Sequence, residues 1–172
     1  MLAWATKERA VREEVRHDPA LGSRLAAMRE KEGDYFLQVL DARTGSTLGK
    51  LLVETGKGSF HVRNVFSTGD WVVVTDSENR VLVYSLAAGE LRGRVFGDRA
   101  AVAPRTGLFV VENERGQLSL YDLQTMGRRE QFNFPGAVAL ARFSADGRRL
   151  FVLTADQTAY VLDVSTAAAA KD

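Results

Sequence analysis

The side chains that could do chemistry are few and scattered. His17 and His61 share no Asp or Glu at metal-ligand spacing, so they do not predict a zinc site. "TGKGS" at 55–59 has the look of a phosphate loop, but its lysine is followed by glycine and then a strand-like run. A Walker loop needs G-x-x-x-x-G-K-[ST] opening a helix. The segment therefore reads as a connection, in which Lys57 and nearby amides would hold an anion only weakly. "DSEN" at 76–79 alternates oxygen ligands but lacks the glycine and closing glutamate of a calcium loop. It predicts a hairpin turn, with "NERG" and "ADQT" as its equivalents. Asp146-Gly147 is a turn pair rather than a catalytic acid. No serine lies in a G-x-S-x-G elbow, and no cysteine offers a thiolate. The expectation is a protein that is not an enzyme, with no catalytic, cofactor-binding or metal-binding residue.

The bulk composition points the same way. A length of 172 residues suffices for one domain with a real core, or one domain plus an appendage. Hydrophobic residues make up 45% and charged residues 26%, which is globular rather than disordered. A net charge of +1 does not mark a nucleic-acid or anionic-membrane binder. "MLAWATKERA" is too short in apolar residues for a secretory signal, and no run approaches the roughly 20 residues of a spanning helix. With no cysteine present, the expected compartment is the cytoplasm.

Two kinds of element must carry these side chains. Residues 1–34 read as a helical segment, spanning 6–32. Thr6 is a cap, Val11 and Val15 stand four apart, and Asp18-Pro19 breaks and restarts the helix. Leu21, Leu25 and Met28 continue the stripe, and Gly33 stops it. Seven basic and seven acidic side chains surround that thin apolar edge. It predicts a solvated helical hairpin packed on its neighbour by one edge, or a helix that docks into a partner. From residue 35 to 165 the period changes to short strands bounded by Gly, Asp, Asn and Ser, and "STAAAAKD" reads as a disordered tail from 166 to 172.

The strands repeat. "GDWVVVTDSENRVLVYSL", "GLFVVENERGQLSLYDL" and "GRRLFVLTADQTAYVLDV" are three copies of one hairpin. The endings "VLDA", "VYSL", "LYDL" and "VLDV" recur at steps of 44, 37 and 41 residues, measured from Leu40 to Tyr84, Tyr121 and Leu162. A turn to Gly45, Gly89 or Gly127 follows the first three. A period near 40 with four strands per unit is the signature of propeller blades, each burying its faces against the next. That predicts consecutive apolar positions, as in "WVVVT" and "LFVLT", with both faces buried. Phe109, Phe132, Phe134 and Phe151 then read as core between blades.

The residues resemble the WD-repeat and related quinoprotein-like β-propeller families. Phe143-Ser144-Ala145-Asp146-Gly147 matches the "FSxDG" turn that joins the innermost strand to the second, and Asp41-Ala42-Arg43-Thr44-Gly45 matches the turn after the third. No blade has the Trp-Asp pair, and no Gly-His pair precedes one. The fold expected is mainly β: four-stranded antiparallel blades, about three of them, with an N-terminal helical segment. Two strands fall in a first partial blade (35–41 and 46–53), four each in 61–96 and 100–133, and three in 137–163. Such a ring does not close alone. The chain would be the terminal part of a longer propeller, would pair with another copy, or would have one open face capped by its helices, and the first is favoured.

The resemblance implies a non-catalytic module for protein–protein interaction or scaffolding. The alternative is the accessory propeller of a peptidase or quinoprotein-like enzyme whose catalytic residues lie elsewhere. Partners would be proteins, missing blades or a second copy, with no nucleic acid and no membrane. Turns between second and third strands would present Asp76, Glu78, Asn79, Glu114, Arg115, Asp156 and Gln157. Connections between blades would add Lys57, Asp98 and Arg99 at the same end.

Overall fold

A computed structural model describes residues 2–5, 13, 15–19, 21–22, 35–53 and 61–165. Its antiparallel sheets follow the repeat. The first sheet has the order β1 (Leu2–Ala5), β2 (Tyr35–Leu40), β3 (Thr47–Val53). The second runs β4 (Val62–Thr68), β5 (Trp71–Asp76), β6 (Arg80–Ser85), β7 (Glu90–Phe96). The third runs β8 (Asp98–Val102), β9 (Leu108–Glu114), β10 (Gln117–Asp122), β11 (Arg128–Asn133). The last holds β12 (Val138–Phe143), β13 (Arg149–Thr154) and β14 (Ala159–Asp163), with no fourth strand among the described residues. In the last three sheets, strands adjacent in sequence are adjacent in space, as short turns require.

β1 departs from the expected helical segment. Leu2 stands opposite Gln38 and Ala5 opposite Tyr35 in an antiparallel ladder. β2 has a second edge beyond β3, and an apolar four-residue run satisfies its peptide groups there better than a lone helical turn could. Glu13, Val15, Arg16 and Gly22 are helical. Thr6, Val11, Leu25, Met28 and Gly33 lie outside the described residues, as do the loop at 54–60 with Lys57 and the tail at 166–172.

The chain divides into two compact units: Met1–His61 with Tyr84–Glu90, and Val62–Val83 with Leu91–Asp172. In the first, Val15 and Leu21 are buried against Phe36 and Leu52, so the helical turns cap one face of β2 and β3. Asp18 acts as the cap its position predicts, accepting the Leu21 amide at 3.2 Å, and its Oδ2 lies 3.6 Å from the Lys50 ammonium. Leu37, Val39, Leu51 and Val53, alternating with those residues, are buried on the other face.

The second unit holds two cores between sheets. Val73, Val81 and Val83 meet Phe109, Val111 and Leu123, and the Phe109 ring stacks on Tyr121 at 5.2 Å. Leu108, Val110, Leu118 and Leu120 meet Ala141, Leu150, Val152 and Val164. Successive residues of β9 thus enter opposite cores, which explains its unbroken apolar run. Phe132 and Phe134 pack half-buried against the second core, and Phe134 sets its edge to Tyr160 at 4.9 Å. β13 corrects the expectation made for "LFVLT". Leu150, Val152 and Thr154 are buried while Phe151 and Leu153 face solvent. Phe151 is therefore not core, because no sheet of the described residues covers its face.

Candidate interaction surface

The recurring third-strand ending is a turn-builder. Asp41 Oδ1 accepts the Arg43 and Thr44 amides at 2.7 and 3.0 Å. Asp122 Oδ1 accepts those of Gln124 and Thr125 at 2.8 and 2.9 Å, and Asp163 Oδ1 that of Ser165 at 2.9 Å. Where the ending carries serine, Ser85 Oγ accepts the Ala88 amide at 3.2 Å. A short polar side chain two residues before the bend does this and an aliphatic one cannot. Gly45 and Gly89 take the left-handed backbone that closes their turns, at φ 72° and 62°, whereas in the third turn Met126 takes it at 59°. Amide donors pull the Asp41 carboxyl below the usual range. For Asp122, burial pushes upward, but the amides of Thr125 and Gln124 and the Arg129 guanidinium outweigh it.

The other end of the strands carries the candidate residues. Asp76 is buried and turned inward: Oδ1 accepts the Glu78 and Arg80 amides at 2.8 and 3.0 Å, and Oδ2 lies 2.7 Å from Arg80 Nε. It shapes the β5–β6 turn and offers no contact surface, so that candidate is corrected to a supporting role. Glu78 and Asn79 project from the turn. Asn79, at φ 55°, accepts Arg63 Nη1 on its side-chain oxygen at 3.0 Å and the Gly97 amide on its carbonyl at 2.8 Å. Arg63 Nη1 also stands 3.9 Å from Asp98 Oδ1, which accepts the Arg99 amide at 2.8 Å. Turn and inter-sheet connection are thereby tied into one patch. Asp98 and Arg99, with Asn64, Thr75, Leu140 and Arg142, line a cleft of about 220 Å³.

The next two turns repeat the pattern. Glu114 and Arg115 are exposed on the β9–β10 turn, and the Gly116 carbonyl accepts the Phe134 amide at 2.8 Å. Asp156 and Gln157 are exposed on the β13–β14 turn, where the Ala155 amide donates to the Ala137 carbonyl at 2.8 Å. The Thr154 hydroxyl and the Thr158 amide hold the Asp156 carboxyl below the usual range. Glu78, Asn79, Asp98, Arg99, Glu114, Arg115, Asp156 and Gln157 thus lie on turns and connections of this strand end. The fold reached them through side chains the sequence reading passed over. Arg63 braces Asn79 and Asp98, and Glu112 accepts the Gly116 and Val138 amides at 2.8 Å each. A charged residue within two positions of a strand end was the available signal for both.

Chemically this rim offers carboxylates, guanidiniums and amides of both signs. Among the described residues, no group of three or more His, Asp or Glu could hold a metal ion. No helix of the described residues is long and apolar enough to cross a membrane.

No family model matches this sequence, and a search of curated proteins finds no match either. The fold does have solved counterparts. A chain in the crystal structure of a mitotic checkpoint complex is similar at a TM-score of 0.57 and 16% identity, over 78% of this chain and 42% of that one. The likeness is one of fold alone, and the chain spans less than half the length of that counterpart.

Proposed function

We propose that this chain is a non-catalytic protein-interaction module built from propeller blades, working as part of a larger propeller or assembly in the cytoplasm. One observation carries the reading. The turns at Glu78–Asn79, Glu114–Arg115 and Asp156–Gln157 are each bonded to a neighbouring connection, through Asn79 and Gly97, Gly116 and Phe134, and Ala155 and Ala137. A rim braced in this way presents charged side chains with little ordering left to do on binding, which is what a polar protein interface needs. Mixed charge favours protein over nucleic acid as the partner. In this reading the blades at 35–165 carry the interaction, and Lys57 is a further candidate contact residue.

The test compares affinity capture by the wild-type chain with capture by the variant Glu78→Lys, Arg115→Glu, Gln157→Glu. These are exposed positions, so the variant should melt like wild type. A protein captured by wild type and lost with the variant supports the reading. An identical capture profile from both chains removes these turns from the interface.

A further inference from the structure

The last sheet leaves a whole face open, and the sheet before it shows what such a face is built to meet. Asp122 and Asp163 begin the same turn in successive repeats, which fixes the correspondence of the strands. In the third sheet Asp122 stands opposite Leu108 and Leu120 opposite Val110. In the last sheet Asp163 stands opposite Arg149 and Val161 opposite Phe151. Val161 therefore corresponds to Leu120, and Phe151 to Val110. Leu120 and Val110 are fully buried, because Leu150 and Val152 of the last sheet lie over their face. Their counterparts Val161 and Phe151 are 60% and 43% exposed. Leu140 and Leu153, opposite each other on β12 and β13, extend the same face at 46% and 37%. Four large apolar side chains in adjacent register make a patch that monomers seldom leave bare.

We propose that a second copy of this chain covers this face, the two last sheets packing face to face about a two-fold axis. The proposal rests on the reading of the chain as an interaction module and names one partner. Two observations select that occupant. Both faces of β2 and β3 are already buried, one of them under Val15 and Leu21. β5 and β9 are likewise apolar and buried on both faces. Among these sheets a second copy therefore has the same open face to bring, which makes the contact isologous. The charges at its rim are also self-complementary: Arg149 and Asp163 stand opposite each other on neighbouring strands, so two copies can exchange the pair across the axis. Arg142, opposite Phe151, lines the cleft together with Leu140.

The face is small. Strands about 4.8 Å apart with a rise of about 3.3 Å per residue give three short strands a footprint of roughly 250 Å². That is well below the about 800 Å² per partner of a standard interface, so the dimer is weak and reversible, with a dissociation constant on the order of 10–100 µM.

Sedimentation velocity of the full chain across the micromolar to millimolar range tests this. The weight-average mass should climb from 18.9 kDa toward twice that value. Phe151→Asp with Val161→Asp should weaken association more than ten-fold while the thermal melt is retained, since both side chains face solvent in the monomer. Should the double variant fail to fold, Val161→Lys alone, on the edge strand, serves the same purpose. Concentration-dependent amide shifts confined to 138–163 would place the contact. A wild-type chain that stays monomeric throughout, or a dimer that ignores these substitutions, overturns the proposal. Either result leaves the capture experiment on the turns to be decided separately.

Discussion

Glu112 reaches out of the third sheet and holds Val138 at the start of the last. Its Oε1 sits 2.8 Å from the Val138 amide nitrogen and 2.8 Å from that of Gly116, so one carboxylate fixes both a turn and the approach of the next strand. Charge-assisted bonds of this kind are each worth about 1.5–3 kcal/mol, and removal leaves two amide donors to find water. Glu112→Ala should lower unfolding stability by about 2 kcal/mol in urea titration. Glu112→Gln, which keeps an acceptor, should cost less than half as much. Hydrogen exchange at the Val138 amide should accelerate in the alanine variant and only slightly in the glutamine one.

Gly97 stands where the second sheet passes into the third, at φ 149°. A Cβ there would lie 2.4 Å from the Glu112 carbonyl oxygen and 2.5 Å from Val111 Cγ1. Backbone cannot yield as a side chain can, so Gly97→Ala should cost more than about 2 kcal/mol. Gly69, also at positive φ but with open space around it, is the control. Gly69→Ala should cost only about 1 kcal/mol, the strain of a left-handed residue. Paired thermal melts read the difference.

Gln157 adopts φ 68° without being glycine, on an exposed turn closed by its amide to the Thr154 carbonyl at 2.9 Å. Gln157→Gly removes left-handed strain of about 1–2 kcal/mol and adds unfolded-state entropy worth somewhat less. The variant should melt slightly higher than wild type. A lower melt would show that the Gln157 side chain contributes to the turn.

Five turn aspartates, Asp41, Asp122, Asp146, Asp156 and Asp163, have carboxyls held below their ordinary value. For the four besides Asp122 the main cause is hydrogen-bond donation by turn amides or hydroxyls. A carboxyl lowered in the folded state binds fewer protons there than in the unfolded chain. Their stabilisation is complete above about pH 4, the unfolded range, and drains away as pH falls through the lowered folded values. Melting temperature should be flat from pH 8 to 5 on their account and drop steeply below 4. Asp122→Ala should melt well below wild type at pH 7, with the gap narrowing by pH 2.5.

Sequence alone determined what depends on local chemistry. Repeated endings at Asp41, Ser85, Asp122 and Asp163 located the third-strand turns, because a side chain that bonds an amide two residues on acts within its own loop. The unbroken apolar run in β5 announced a strand buried on both faces, and the Asp18-Pro19 pair announced a cap. The tertiary structure decided everything that rests on a neighbour from another part of the chain. β1 became a strand because β2 had an edge to offer. Asp76 left the candidate surface because Arg80 and two amides draw its carboxylate inward. "LFVLT" reads in sequence like "LFVVE", yet Phe109 is buried and Phe151 is bare. Burial belongs to the sheet that lies across a residue, and no composition or period within the strand records whether that sheet is there.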